Sequence, residues 1–345
     1  MRYFVILTIV GIILVGAFLS VGQGFLAAYE SANHAKLQAN LLALKELEVN
    51  QNIEAVKNKP VTLLFVGDIM LSRGVASQIK KHNDFIFPFL KIADFTKSAD
   101  LTFGNLEGPI SARGQNQGSQ YSFRARLESV EGLTFAGFDV LNLANNHIFD
   151  WGKPALEETM DILKANELGF IGAGRNYLEA NAPLIKEVGN TKVAFLGFTT
   201  LYPKILEAGD DSTGISSLDL EKAKDIIFNL KRTHSADLII ASFHWGEEYK
   251  KQAGDKERGI AYALVNSGAD LVVGHHPHVV QEIERYNDGL IAYSLGNFVF
   301  DQNFSQDTKT GLALRVIVQN KEIIKIEPVE IKINDFFQPE VDSLR

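Results

Sequence analysis

Residues 269–278 read ADLVVGHHPH, an apolar run of strand length that ends abruptly in three histidines around a proline. The same arrangement recurs in LLFVGD (63–68), ADLTFGNLE (99–107), FDVLNLANNH (138–147) and DLIIASFHWG (237–246), and similar apolar runs occur in VAFLGFT (193–199) and LIAYSLGNF (290–298). The segments 153–167, 218–233 and 255–267 between these runs have helical periodicity. Continuous apolar strands that alternate with helices predict an α/β fold with a mainly parallel sheet covered on both faces.

The pattern changes after Gly311. LALRVIVQ (312–319) and EIIKIEPVEIKI (322–333) predict two strands joined near Asn320 and Lys321 as an antiparallel hairpin. We assign residues 59–335 to one domain and residues 336–345 to a tail, with no regular structure expected from Asn334 onward.

A membrane anchor is predicted at residues 1–28. Residues 3–29 contain no charged side chain, and Arg2 supplies a flanking positive charge. A cleaved signal peptide is the competing interpretation, but the apolar run exceeds a usual signal core and no A-x-A site follows Ser20. The positive-inside rule then predicts a single-pass protein of the cell membrane with its domain outside the cytoplasm. Residues 29–58 lead from the anchor to Pro60 and predict a helical stalk.

Charge and composition exclude one class of partner and one class of metal ligand. The formal net charge of the 345 residues is -8, which argues against nucleic acid as a partner because phosphate binding needs clustered Lys and Arg. The chain has no cysteine, so it forms no disulfides and any metal must be bound through nitrogen and oxygen.

Polar groups follow strand after strand, and in open α/β sheets ligands bind at the carboxyl ends of the strands. Five of the eight histidines lie at these ends. Each group alone also has a structural explanation: a carboxylate can cap a helix, an Asn can serve a turn, and a buried imidazole can simply be hydrogen-bonded. His276 and His278 are harder to explain in this way, because side chains two apart on an extended segment project to the same side. Jointly these residues predict a metal-binding site.

Six motifs carry a family resemblance: FVGDIML, FGNLEGPIS, LNLANNHIFDWG, FHWGEEY, GHHPHVVQ and YSLGNFVF. In order and content they resemble the blocks of the bacterial capsule-synthesis CapA family, also called the poly-γ-glutamate synthesis family, over residues 61–300. That family is similar to the calcineurin-like metallophosphoesterases. The resemblance implies a metallophosphatase-like α/β/β/α sandwich, in which a pair of sheets lies between helices around a metal centre.

The resemblance also implies roles for individual residues. His147 would be the catalytic residue, working near the leaving group. The metal ligands would be Asp68, Asn105, Glu107, Asn146, His244, His276 and His278. Two positions depart from the wider superfamily: Met70 stands where a histidine ligand is usual, and Asn105 stands in place of a bridging aspartate, with Glu107 as a substitute. We assign substrate contacts to Arg175, Asn145, Trp245, His275 and Asn297.

Two functions follow as expectations. The first is a metal-dependent, phosphoesterase-like hydrolase or transferase with one or two Mn, Zn or Fe ions, acting on an anionic cell-surface polymer or its precursor. The second is a non-catalytic accessory subunit that binds polymer through metal within a capsule synthesis or export complex. Both expect capsule-synthesis membrane subunits as partners.

Overall fold

Two mixed β-sheets pack face to face in this protein, and helices cover their outer faces. The computed structural model describes residues 2–57 and 59–342. The contacts divide the chain at Lys59 and Pro60 into two units.

The helices of the described residues differ greatly in length. They are α1 (Arg2–Lys57), α2 (Arg73–His82), α3 (Ala93–Thr96), α4 (Val130–Phe135), α5 (Lys153–Ala165), α6 (Tyr177–Asn181), α7 (Leu220–Arg232) and α8 (Asp255–Asn266), with short 3-10 turns at Phe87–Phe89, Leu127–Ser129 and Lys204–Leu206. The first unit consists of α1, which is long and apolar enough over Val5–Val49 to cross a membrane.

The described strands all lie in the second unit. They are β1 (Val61–Ile69), β2 (Leu101–Leu106), β3 (Val140–Asn142), β4 (Gly169–Ile171), β5 (Ala173–Gly174), β6 (Leu184–Val188), β7 (Thr191–Thr199), β8 (Gly214–Ile215), β9 (Leu238–His244), β10 (Leu271–His275), β11 (Ile283–Tyr286), β12 (Gly289–Ala292), β13 (Asn297–Val299), β14 (Thr310–Gln319), β15 (Glu322–Ile333) and β16 (Pro339–Val341).

The first sheet has the order β16-β15-β14-β1-β2-β3-β4, and β13 pairs with the end of β1. The second has the order β11-β12-β10-β9-β7-β6, while β5 and β8 form a small separate pair. The central neighbours in both sheets are parallel: β1 to β4 in the first, and β7, β9, β10 and β12 in the second. The antiparallel strands stand at the edges.

The predicted layers are confirmed by the distribution of apolar side chains. Between the sheets, the stacked rings of Phe103 from β2 and Phe195 from β7 lie 5.7 Å apart, with Phe65 of β1 against them. A second cluster joins the outer face of the first sheet to α2, α4 and α5, and a third joins the second sheet to α7 and α8. The fold is therefore an α/β/β/α sandwich, because each sheet buries one face against the other sheet and one against helices.

The chain after Gly311 partly matches its predicted structure. β14 and β15 form the expected antiparallel hairpin, and its turn residues Asn320 and Lys321 both have positive φ, 51° and 70°. The expectation of no regular structure after Asn334 is wrong for Pro339–Val341, which pair with β15 as an edge strand. The Asn334 side chain accepts hydrogen bonds from the amides of Phe336 and Gln338 and so reverses the chain. A three-residue strand formed by such a turn has too short a pattern to be predicted.

One glycine positions the start of the site. A Cβ on Gly67 of β1 would lie 2.0 Å from the carbonyl oxygen of Gly296, so only glycine lets these segments come so close. The Asp68 amide donates to the same carbonyl at 2.9 Å. This contact fixes Asp68 beside Asn297 at the carboxyl end of β1.

Candidate metal centre

The strand registers bring the polar strand ends of both sheets to one edge. In the first sheet Asp68 pairs with Asn105, and Asn105 pairs with Asn142. In the second sheet His244 pairs with His275 at the ends of β9 and β10. Because the parallel strands end at the same level, their terminal side chains converge.

Two groups of metal-ligating side chains form there. Asp68, Glu107 and His244 make one group, and Glu248, His276 and His278 make the other; within each, one ligand atom per residue lies within 4.8 Å of the others. The groups adjoin, since the His244 and His276 rings are 4.9 Å apart and His278 Nδ1 lies 3.3 Å from Asp68 Oδ2. Nitrogen and carboxylate oxygen donors at this spacing can hold a divalent cation.

Glu107 shows most directly that a cation fits. Its side chain is fully buried, yet neither carboxylate oxygen has a hydrogen-bond partner among the described residues. Burial, together with the nearby Asp68 carboxylate, raises the pKa of Glu107 to about 7 against the pull of His278. Buried carboxylates are normally paired or bound to a cation, because desolvating an unpaired charge costs several kcal/mol. A divalent cation held by Glu107 and other residues of this cluster would remove this cost.

Asp68 is the most strongly anionic group of the cluster. Burial alone would raise its pKa, but the neighbouring His275 and His278 outweigh that effect and hold the pKa well below its usual value. Asp68 also accepts hydrogen bonds from the Asn105 amide at 2.8 Å and from the backbone N–H of His276 at 3.2 Å. An ionised, oriented carboxylate is a suitable ligand for a hard cation.

The histidines differ in charge. Burial and the neighbouring His276 hold the pKa of His244 well below its usual value, and burial with the His278 charge lowers the pKa of His276 to about 3. Both are therefore neutral, as a metal-ligating imidazole must be. Burial would lower the pKa of His278 as well, but Glu107 and Asp68 raise it to about 9 without a metal.

The His276–Pro277–His278 segment has a strained backbone. His276 has φ 98° and His278 φ 57°, in the left-handed region that non-glycine residues rarely adopt. Asn297 Oδ1 lies 3.0 Å from His278 Nδ1 and orients that ring. Strain of this kind persists where the surrounding structure imposes it, which is common at functional sites.

His147 lies beside the ligand cluster. Its Nδ1 is 2.8 Å from Asp150 Oδ2, and its Nε2 faces Glu107 Oε1 at 3.7 Å. The Phe123 ring stacks on the imidazole at 4.0 Å, and the Phe123 backbone N–H donates to the same Asp150 oxygen. This arrangement presents one ring nitrogen to the cluster while a buried carboxylate holds the other, as in residues that transfer protons.

A network of asparagines surrounds the carboxylates. Asn146 Oδ1 lies 2.7 Å from His244 Nε2, whereas Asn105 directs its nitrogen at Asp68 and its oxygen receives the Asn142 amide at 3.1 Å. Asn145 donates to the Leu106 carbonyl and accepts from the His147 backbone N–H. Asn105 thus positions Asp68, while the Glu107 carboxylate faces His147 and His278 without a hydrogen bond to any described residue.

Three predicted substrate-contact residues lie elsewhere or serve the fold. The Arg175 guanidinium pairs with Asp161 at 2.6 Å, an exposed ion pair made within the α5–α6 region. The Trp245 indole is fully buried against Phe243 and donates to the Tyr293 carbonyl, so it belongs to the core. His275 is fully buried, and its Nδ1 lies 3.5 Å from Asp68 Oδ1, so it contacts the cluster through Asp68.

The predicted departure at Met70 also has a structural role. Its side chain is buried, and its sulfur accepts hydrogen bonds from the Ser72 N–H and hydroxyl at 3.1 and 3.0 Å. The position therefore forms the turn before α2.

Asp150 and Asn142 were not predicted as site residues, and Glu248 was not predicted as a metal ligand. Asp150 follows His147 at i+3 in the motif NNHIFD, and that spacing was the available signal. Asn142 had none, because its side chain reaches Asn105 only across paired strands. Glu248 follows His244 in FHWGEEY and belongs to the second ligand group.

Known proteins resemble this chain over the region that contains the polar strand ends. The family model described as bacterial capsule synthesis protein PGA_cap matches residues 62–302. The capsule biosynthesis protein CapA of Bacillus anthracis is 32% identical over 308 residues, which span 85% of this chain and 73% of that protein. The PGA biosynthesis protein CapA of Bacillus subtilis (strain 168) is 33% identical over 272 residues, 77% of this chain and 70% of that protein. A solved structure of a hypothetical protein from Thermus thermophilus has a TM-score of 0.49 at 16% identity, covering 79% of this chain and 99% of that one. On the family match and the two CapA relatives, this chain belongs to the bacterial capsule synthesis (PGA_cap) family.

Proposed function

We propose that this capsule biosynthesis protein is a membrane-anchored, metal-dependent hydrolase or transferase that acts on an anionic cell-surface polymer or its precursor. The observation that carries the proposal is His147, held by Asp150 at 2.8 Å on one side and directed at Glu107 on the other. A residue that only helped to bind polymer would not need a buried carboxylate to fix its tautomer.

Residues from both ligand groups would hold one or two divalent cations. Asp68, Glu107 and His244 form the first set, and His276 and His278 with Glu248 form the second. Asn146, at 2.7 Å from His244, completes the shell or fixes that imidazole. A cation bound there supplies positive charge that polarises an oxygen of the reacting group.

The chain's own residues perform the proton transfer. His147 donates or accepts a proton at Nε2, the nitrogen that faces the cluster, while Asp150 holds Nδ1 and stabilises the imidazolium. Phe123 covers one face of the ring and so limits the access of water. The reacting bond is a phosphoester of a cell-envelope intermediate or an amide of the polymer.

Two substituted positions favour a second candidate function, a metal-dependent polymer-binding subunit without catalysis. Met70 directs its sulfur to Ser72, and the side-chain oxygen of Asn105 is occupied by Asn142. Relative to the superfamily pattern, Met70 removes a nitrogen ligand and Asn105 removes a negative charge. Such a site could bind polymer carboxylates through metal, with no proton moved.

A comparison of two variants separates the candidates. We expect His147→Ala to keep its metal, measured by plasma mass spectrometry, and to lose capsule, while the pair His276→Ala, His278→Ala loses both. His34→Ala, an exposed change on α1, is the matched control. At equal protein levels, normal capsule from His147→Ala with none from the pair would favour the binding subunit. Normal capsule from both variants would show that capsule production does not need the metal centre.

The anchor is part of the same proposal. Large apolar side chains between Val5 and Val49 are exposed, for example Phe18 at 83% and Phe25 at 78%, and lipid would cover them. Protease added to intact protoplasts should remove the domain. Digestion only after lysis would show that the domain lies in the cytoplasm. A mature protein lacking the first residues would identify a signal peptide instead. Membrane subunits of capsule synthesis are the expected partners.

A further inference from the structure

A cavity of about 380 Å³ lies between α2, the turn that follows it and residues 124–129. None of the described residues that line this cavity belongs to the two ligand groups of the metal centre. Its volume falls within the range of about 300–1,000 Å³ that holds small organic ligands. The cavity is therefore a separate candidate site, and the proposed function supplies no ligand for it.

The side chains of residues 123–126 (FRAR) alternate between apolar and cationic. Phe123 is buried and stacks on His147, whereas Arg124 and Arg126 line the cavity. Side chains two apart on an extended segment project to the same side, which places the two guanidinium groups together. The segment thus contacts the metal centre with one set of side chains and the cavity with the other.

Four charged side chains line the cavity, and three of them are cationic: Lys80, Arg124 and Arg126, with Asp84 as the anion. The Asp84 carboxylate accepts a backbone N–H at 3.0 Å, and Arg126 pairs with Glu128 at 3.0 Å. The side chains of Lys80 and Arg124 have no hydrogen bond or ion pair with any described residue. The lining therefore carries an excess of positive charge that favours an anionic ligand.

Arg124 gives the most specific indication of that ligand. It is half-buried, and its Cζ lies 3.4 Å from the centroid of the Trp151 ring. Stacking on the indole uses the face of the guanidinium and leaves its in-plane N–H donors for an acceptor. A guanidinium fixed in this way is suited to an oxyanion, which accepts two parallel hydrogen bonds from it.

The remaining lining offers apolar surface. Leu71 and Ile79 are buried, and Ala76 and Phe85 are half-buried. An inorganic anion would leave this surface in water, whereas a ligand with an apolar group would cover it and gain the free energy of that burial. The cavity therefore fits a molecule with a charged end and an apolar end.

We infer that this cavity binds a small organic anion in which an oxyanion group is attached to an apolar group. Arg124 and Lys80 contact the oxyanion, and Leu71, Ile79 and Phe85 contact the apolar group. The site is independent of the metal centre, so binding needs no metal.

Phenylphosphonate is the probe, because it joins an aromatic ring to an oxyanion through a P–C bond that hydrolases of phosphoesters do not cleave. It is titrated calorimetrically into the full-length chain in detergent, with EDTA and again with Mn²⁺. We expect the same affinity in both. Inorganic phosphate and benzyl alcohol, which each lack one half of the probe, should bind at least about tenfold more weakly.

Tryptophan emission gives a second measurement. The chain has two tryptophans, and Trp245 is fully buried in the core, so a response on binding reports on Trp151 beneath Arg124. We expect phenylphosphonate to change the emission at the same concentrations at which heat is released. Trp151→Phe should remove this signal and keep the calorimetric affinity within about threefold, because phenylalanine still offers a ring to the guanidinium.

Matched variants locate the probe. Arg124→Gln should weaken binding about tenfold or more, because hydrogen bonds to charged groups are the strong ones. Arg232→Gln, an exposed change on α7, should leave the affinity unchanged. Lys80→Glu should weaken binding at least about threefold more than Lys81→Glu. Both lysines are exposed in the last turn of α2, and of the two only Lys80 lines the cavity, so this pair is informative even if Arg124→Gln unfolds.

Several results would overturn the inference. Equal effects of Lys80→Glu and Lys81→Glu would place the probe outside the cavity, and binding only with Mn²⁺ would place it at the metal centre. Inorganic phosphate that binds as tightly as the probe would refute the apolar contacts, and benzyl alcohol that does so would refute the anion site. An absence of binding at millimolar phenylphosphonate would refute the site as a whole. None of these results affects the proposed function, which does not involve this cavity.

Discussion

Replacing Glu107 with Gln should stabilise the metal-free protein and remove its response to metal. The buried carboxylate has no hydrogen-bond partner among the described residues, and its pKa rises from 4.5 to about 7. One pKa unit corresponds to about 1.4 kcal/mol, so the ionised group destabilises the metal-free fold by about 3 kcal/mol above pH 7. Glutamine keeps the shape of the side chain and lacks the charge.

The pH dependence follows from the direction of this pKa. A raised carboxyl pKa means that the folded state binds the proton more tightly, so the destabilisation is absent below about pH 4.5 and complete above about pH 7. At pH 8 we expect Glu107→Gln to raise the melting temperature of the metal-free protein by about 6 °C or more, and at pH 4.5 by little. Mn²⁺ should raise the melting temperature of the parent protein and have much less effect on the variant.

Glu247→Gln is the control, because it makes the same chemical change at a side chain that is 78% exposed. Differential scanning calorimetry at both pH values, with EDTA or with Mn²⁺, measures all four states. A metal-free Glu107→Gln protein less stable than its parent at pH 8 would refute the reasoning. A full stabilisation by Mn²⁺ in this variant would show that Glu107 is not a ligand.

Three further predictions concern the candidate metal centre and the glycine that positions it. Asp150→Asn should lower turnover about 10²- to 10⁴-fold with unchanged metal content, because the His147 tautomer is no longer fixed; equal turnover would exclude the pair from proton transfer. Asn297→Ala should weaken metal binding about 10- to 100-fold by releasing the His278 ring, as a competition titration with a chelator would measure; unchanged affinity would refute this positioning role. Gly67→Ala should lower the free energy of unfolding, measured in urea, by at least about 3 kcal/mol. Gly259→Ala is the control: Gly259 has open space around it in α8, so this change should raise the free energy of unfolding by about 0.5–1 kcal/mol. A loss of much less than about 3 kcal/mol in Gly67→Ala would contradict the close contact with Gly296.

The fold was largely predictable because its signal is local and repeated. Apolar runs such as LLFVGD and DLIIASFHWG form buried central strands, and the segments between them with helical period form α5, α7 and α8. The edge strand Pro339–Val341 was not predictable, since its partner and its turn lie in the tertiary structure.

The residues that converge at the strand ends were predictable from the sequence, but the role of each residue was less so. His244, His276 and Asp68 converge because parallel strands end together, which the alternation of strands and helices already implies. The predicted contacts at Arg175 and Trp245 depended on sequence proximity to strands, and the side chains point elsewhere. Proximity along the chain does not fix side-chain direction.

The sequence by itself determined the α/β class, the apolar helix, the family and the residues able to bind metal, because each depends on composition, periodicity or motif order. Only the tertiary structure decided which groups are partnered. It left the Glu107 carboxylate buried without a hydrogen bond among the described residues, directed Asn105 at Asp68, and joined His147 to Asp150. These properties depend on distances of about 3 Å between side chains from different elements, and such distances are set by packing.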